Sequence, residues 1–335
     1  MRRLVLLLVA LALAPAAHAA PAPKKSWADA QIQLVTTKGL MGADARAFRP
    51  DDPLTQGDLA DLLTGITGKP QPAPADLSAG VTIAQLDFQL VRALNLRDVA
   101  RQFASALRAA GLTPPSRFGT EVVARLLGLR TDHAEDTIEP VPDAAATRAE
   151  AAYSAARILS FSGWEVDQVR GEAATFAPPA VDGVQRQLLQ VAISLIGYPY
   201  VWGGTSEQPQ QLFGRQVNGG FDCSGFVWRV VKLQDYGLPG LADTLKGRTT
   251  YAMSGEVQKA QRISLANLQP ADLVFFGDGG PKAKAADINH MGISLGGGWF
   301  IHSSGEGVVI APIAGWYEKR FAWGRRPLAE LQPSV

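Results

Sequence analysis

"NHMGISLGGGWFIHSS", residues 289–304, alternates apolar and polar or small positions on either side of three glycines. That pattern predicts a β-hairpin. A three-residue loop at 296–298 would pair Leu295 with Trp299 and, counting back, Gly292 with His302. Side chains alternate faces along a strand, so His290, Gly292, Ser294, Phe300 and His302 then share one face. The two histidines become diagonal neighbours, ~7–8 Å apart at the backbone, and Gly292 between them leaves room. A two-residue loop would break the parity and put the histidines on opposite faces, so the reading rests on loop length.

Upstream, "GGFDCSGFVWRV" (219–230) holds the only cysteine in 335 residues. Asp222 is a good N-cap, and Phe226, Val227, Val230 and Val231 follow Cys223 at helical spacing. Cys223 is therefore predicted at the first helical position, where orphan amides and the macrodipole favour a thiolate. Gly225, unfavourable inside a helix, predicts close approach of another backbone. A base working near neutral pH must be a histidine, and beyond the N-terminal leader the chain has His133, His290 and His302. His290 facing the thiol, with His302 fixing its tautomer, follows the logic of nucleophile, base and orienting group. Each residue alone has a blander reading, as a buried thiol or a half-buried histidine; together the reactive reading leads. One cysteine and two histidines fall short of a four-ligand zinc site, and no metal is expected.

The chain opens with Arg2 and Arg3, an apolar run from Leu4 to Leu13 and small residues up to Ala19, a secretory signal pattern with cleavage expected after Ala19. The run is too short to span a membrane, so an exported chain without a membrane span is expected. Thirty-two Lys plus Arg against thirty-one Asp plus Glu give a formal +1, which excludes a strong field towards nucleic acid. A lone cysteine cannot close a disulfide within the chain.

Pro-rich breaks at 68–80 and 171–183 divide the sequence. Residues 27–165 read as helical throughout, 166–183 as a linker, and 184–335 as a helix-then-strand, α+β domain. The helical region repeats weakly. Residues 39–63 and 128–159 both run Gly-Leu, polar loop, Pro, Thr, helix, and "VTIAQLDFQL" (81–90) resembles a degenerate third copy. Each Thr stands at an N-cap position, and "TRAE" puts Glu150 at the capping-box position of Thr147.

These elements resemble S-layer homology repeats, through Trp27 in "WADAQI", "FRPDDPLT" (48–55) and "TRAEAA" (147–152). The resemblance implies a compact helical module that binds cell-wall polysaccharide, with Thr147, Arg148 and Glu150 as groove residues. The first copy has Gln56 where that arginine would stand. Capped scaffold helices and real glycan binding both remain open on the residues alone.

"GYPYVWGG", "FDCSGFV", "LQPADLVFF", "HMGISLG" and "FIHSS", in this order, resemble an NlpC/P60 cysteine peptidase domain covering roughly residues 184–328. The resemblance implies a papain-like α+β fold, with a cysteine-bearing helix on a small antiparallel sheet. It implies cleavage of bacterial peptidoglycan stem peptides, commonly between D-γ-glutamate and a diamino acid, without cofactor or metal. Cys223 would be the nucleophile, His290 the base and His302 the orienting residue. Tyr200 would neighbour the active site, with an oxyanion role or packing as alternatives. Trp202, Asp222 and Ser224 are candidate substrate contacts, Asp222 having helix capping as its rival role. An amidase or acyltransferase, or an inert wall-binding protein, are the competing functions. One departure stands out: the long polar stretch at 205–221, a candidate lid.

Overall fold

The computed structural model describes residues 25–130 and 139–331; the expected leader and His133 lie outside them. The N-terminal half is helical: α1 (Asp29–Thr37), α2 (Gln56–Thr67), α3 (Ile83–Ala93), α4 (Arg97–Ala109), α5 (Phe118–Leu126), α6 (Arg148–Leu159), α7 (Trp164–Thr175) and α8 (Gly183–Ser194). Helices α2, α3 and α6 start on threonine caps, Thr55, Thr82 and Thr147. The extended residues before the caps meet around a pseudo-threefold axis. Leu54 N–H donates to the Ala146 carbonyl at 2.7 Å, Ala146 to Val81 at 2.8 Å, and Val81 to Leu54 at 3.0 Å, closing a ring. Two residues on, Gln56, Ile83 and Arg148 donate to Ala79, Ala144 and Asp52, a second ring that runs in the opposite sense. The weak segment at 81–90 is thus a structural equivalent of the other two.

The copy closest to the expected motif departs from it in detail. Asp58 and Gln85 reach back to their cap amides, completing capping boxes, whereas Glu150 turns inward to Arg130 at 3.1 Å. A buried guanidinium needs a buried counter-charge, and that demand outweighs a cap hydrogen bond. The stretch 166–183 begins inside α7, whose Val169 and Ala173 are buried; irregular backbone is confined to 176–182. Phe176 packs edge-on against Trp299 at 5.0 Å, and Phe103 of α4 meets both rings, joining the helical region to the sheet.

The second half contains α9 (Cys223–Val227), α10 (Leu241–Thr244), α11 (Thr250–Gly255) and α12 (Trp316–Arg320). Its small strands are β1 (Thr205–Ser206), β2 (Gln210–Leu212), β3 (Arg215–Val217) and β4 (Gly220–Phe221). The main sheet contains β5 (Leu273–Gly277), β6 (Ile288–Gly296), β7 (Trp299–Ser304), β8 (Gly307–Pro312) and β9 (Phe321–Arg325). It is antiparallel, in the order β8-β7-β6-β5-β9. Strands β5 to β8 fall where the alternation predicts them. Strand β9, FAWGR, lies outside the stretches the sequence predicts as strands, though like β5 it is buried throughout. The whole is an α+β sheet domain behind a helical region. Among the described residues no helix is long and apolar enough to cross a membrane.

Candidate active site

The β6–β7 hairpin brings the two histidines together by a route other than the one the spacing predicts. Gly296 pairs with Trp299, so the loop is the two residues Gly297 and Gly298, both at positive φ (61° and 79°). That loop alone would reverse the faces. A bulge at Leu295 restores them: Ser294 pairs with Phe300 and Ile293 with Ile301, the register the three-residue loop would have given. His290 Nε2 consequently lies 3.0 Å from His302 Nδ1, with the rings nearly perpendicular. Gly292 does make the room. A Cβ there would meet the Ile301 carbonyl at 2.6 Å and His302 Cβ at 2.9 Å.

Both imidazoles are set in an aromatic box. Phe276 and Tyr317 lie 5.9 and 6.0 Å from His290, and Phe300 stacks on His302 at 4.4 Å. Burial, helped by the Arg320 charge, pulls His290 down to about 4. Burial and the neighbouring His290 hold His302 well below the usual histidine range. Both rings are therefore neutral at pH 7, and Nδ1 of His290 is the ring nitrogen left for the thiol.

Cys223 opens α9, as its sequence context predicts, with the Asp222 carboxylate accepting from the Gly225 amide. The helix is short. After Val227 it loosens into a π-helical turn, Trp228–Lys232, in place of the continuous α-helix expected. Helix α9 packs against β6 and β7, and the backbone amides of Ser224 and of Met291, the residue after His290, favour the anionic sulfur. The expected lowering of its pKa is overturned. Burial, and then the adjacent Asp222 carboxylate, push the thiol up to about 12 against the pull of those amides. A one-turn helix supplies a few amide dipoles, and desolvation beside a carboxylate outweighs them.

Asp222 and Ser224 are committed to the scaffold. Asp222 also accepts from the Gly203 amide at 2.9 Å, and Ser224 Oγ donates to Asp222 at 3.0 Å. Arg248 clasps both, donating to Ser224 Oγ at 2.7 Å and to Asp222 at 3.2 Å, and also reaches the Gly203 carbonyl at 3.2 Å. The backbone of Gly204 packs where a Gly225 Cβ would stand, the close approach that the helical glycine predicts. Sequence reasoning passed over Arg248 and Arg320, since no periodicity ties a residue to a partner 26 positions away. Tyr200 bridges Phe221 through the backbone, one residue before the cap. Trp202 is solvent-exposed, as is Trp316 on the histidine side.

The stretch 205–221 is pinned at its base. Strand β1 pairs with β4, the Gln210 amide side chain bridges Thr205, Ser206 and Gly220, and Arg229 grips Glu207 with two hydrogen bonds at 2.8 and 2.9 Å. Hairpin β2–β3 projects from it. Far from this cleft, Thr147, Arg148 and Glu150 sit at the start of α6. Thr147 caps, Glu150 is buried on Arg130, and Arg148 pairs with Asp58 and lies over the Phe48 ring at 4.7 Å. The cation expected to meet an anionic sugar is thus already engaged.

Residues 197–326 match the model of the NlpC/P60 family, and residues 22–60 that of the S-layer homology domain. The probable peptidoglycan endopeptidase LytE of Bacillus subtilis (strain 168) is 35% identical over 133 residues, 40% of this chain and 31% of that protein. The gamma-D-glutamyl-L-lysine dipeptidyl-peptidase of the same organism is 30% identical over 152 residues, 44% of this chain and 43% of that protein. The chain thus spans less than half the length of these curated relatives. An NlpC/P60 family protein from Bacillus cereus ATCC 10987 superposes with a TM-score of 0.33 at 25% identity, over 45% of this chain and 41% of that one. The chain thus carries an NlpC/P60 domain at residues 197–326 and an S-layer homology domain at residues 22–60.

Proposed function

We propose that the protein is an exported cell-wall hydrolase, a cysteine endopeptidase that cuts peptidoglycan stem peptides through an acyl-enzyme on Cys223. The observation that carries this reading is the packing of α9, which opens on Cys223, against the β6–β7 hairpin where His290 meets His302 at 3.0 Å. The D-γ-glutamyl to diamino acid bond is the favoured target, supported by the similarity to the gamma-D-glutamyl-L-lysine dipeptidyl-peptidase.

In the resting site thiol and imidazole are both neutral, so activation falls within the attack itself. As the sulfur approaches the carbonyl carbon, its proton passes to His290 Nδ1. For Nδ1 to accept, Nε2 must carry the other hydrogen and donate it to His302 Nδ1, which is the orienting role of His302. The Cys223 amide, at a helix start, and the Tyr200 hydroxyl are the candidate donors to the oxyanion. The His290 imidazolium then gives its proton to the leaving amine, and the thioester forms. Water, losing a proton to His290, attacks the thioester and releases the acid and the thiol. No metal or cofactor is needed for these steps.

The three-copy helical region would hold the enzyme at its polymer and raise its local concentration. Incubation of the protein with purified peptidoglycan, followed by mass spectrometry of the fragments, tests the reading. New free carboxyl and amine ends at the stem are expected, and they disappear in Cys223→Ala. Cleavage undiminished in that variant rules the assignment out, and products without a new carboxyl point to acyl transfer instead.

A further inference from the structure

The tip of the β2–β3 hairpin is built against the grain of its own turn. Leu212 pairs with Arg215, so Phe213 and Gly214 are the two central residues, with φ 51° and 79°. A turn with both residues left-handed favours Asn or Asp followed by Gly. A bulky ring at the first position is a true backbone outlier. Burial does not offset it, since Phe213 is 78% exposed. Its ring instead lies over Gly203, where a Cβ would meet it at 2.9 Å. Trp202, the preceding residue, is 72% exposed. Gly203 is itself bonded to Asp222, next to Cys223, so this aromatic patch borders the thiol side of the cleft.

A bulky side chain held in a strained turn and left largely exposed points to a functional constraint. The pinned base of the stretch makes the hairpin a fixed wall, not a swinging lid. What the wall faces follows from the proposed substrate, and the inference rests on that reading. Peptidoglycan has a peptide part and a saccharide part. The stem's amides and carboxylates call for polar or charged partners, whereas Trp202 and Phe213 offer two exposed aromatic side chains. A pyranose ring has an apolar C–H face and a hydroxyl rim, which suits an aromatic surface that is open at its edge. We infer that Trp202 and Phe213 form a saccharide platform that seats the sugar carrying the stem peptide, making the enzyme selective for saccharide-bearing stems.

Phe213→Asn is the discriminating variant, because asparagine suits the turn. Its melting temperature should equal or exceed that of the native protein. Two readouts are compared in it. The first is the ratio of kcat/KM for a disaccharide-linked stem peptide to that for the same peptide without sugar, expected to fall about tenfold, the size of effect one lost ring contact gives. The second uses Cys223→Ala with and without Phe213→Asn, and measures saturation-transfer NMR from protein to the C–H protons of free N-acetylglucosaminyl-N-acetylmuramic acid. Transfer is expected in Cys223→Ala alone and its loss once Phe213→Asn is added. An unchanged kcat/KM ratio, transfer unaffected by the substitution, or no transfer at millimolar disaccharide overturns the platform. Transfer that depends on Phe213, found when the native protein cleaves neither substrate, supports the platform and sinks the peptidase reading, so the two fail separately.

Discussion

Cys223 and His290 rest as a neutral pair, and the reason lies in their neighbours. The sulfur is desolvated beside a carboxylate, and the imidazole is enclosed by Phe276, Phe300 and Tyr317 with the Arg320 guanidinium nearby. The helix-start position of Cys223 and the shared face of His290 and His302 were legible in the sequence, since an N-cap, helical spacing and strand parity are local patterns. The ionisation of His290 was not, because the groups that set it come from β5, β7 and α12, far from it along the chain. The sign for His290 follows directly. A positive neighbour disfavours the imidazolium, so Arg320 adds to the lowering that burial causes, and the base form is present down to about pH 4. In Arg320→Gln burial remains and the charge goes, so the pKa rises part of the way to the ordinary ~6.5. The acid limb of kcat/KM against pH should move upward, with activity at pH 5 falling several-fold relative to pH 7. A limb that stays in place, or moves down, would show that Arg320 does not act on His290.

At the scale of the element, the hairpin shows how a correct face assignment came from an incorrect loop. Three glycines in a row do not reveal which of them turn the chain. In the structure Gly296 ends β6, the two glycines after it form the loop, and the residue taken from the turn reappears as the Leu295 bulge. Loop length and bulge are interchangeable ways of keeping His290 and His302 on one face, and only the backbone distinguishes them. Gly292 is the position where that arrangement is most exposed to change. Gly292→Ala would drive a methyl into the Ile301 carbonyl, the Phe300 ring and His302 Cβ. Overpacking of this kind costs ~1–3 kcal/mol. The strands must part where the two rings meet, so kcat should fall by about 100-fold or more while KM changes little. Steady-state kinetics with a thermal melt separates the two effects. A variant that loses stability but keeps kcat would show that the 3.0 Å contact is not needed for turnover.

Across the whole molecule, the helical region and the sheet domain are joined by buried charge as well as by aromatic packing. Arg125 of α5 donates to the carbonyls of Gly197, just before Tyr198, and Glu306, in the turn between β7 and β8, and pairs with Glu139 at 2.8 Å. Arg130 pairs with Asp87 and Glu150, both at 3.1 Å, and Glu121 stands beside Arg125. None of this was legible in a sequence with a balanced charge, since the partners come from α3, α5, α6 and the segment after residue 138 and meet only in three dimensions. Two arginines face four carboxyls here, so the cluster cannot hold every carboxyl ionised. Burial first, and then the Asp87 charge, raise Glu121 to about 8. In the folded state Glu121 keeps its proton through a range where the unfolded chain, near its model value of 4.5, has lost it. The folded state therefore binds more protons between those values, and stability falls as pH rises from about 4.5 to about 8. Glu121→Gln preserves the shape and removes the titration. Its advantage over the native protein should be least below pH 4.5 and greatest near pH 8, where each 1 kcal/mol recovered raises the melting temperature by roughly 2–4 °C. Thermal melts of both proteins from pH 4 to pH 9 decide it. Parallel curves would mean that Glu121 is already ionised in the fold, and that the surplus negative charge is balanced elsewhere in the cluster.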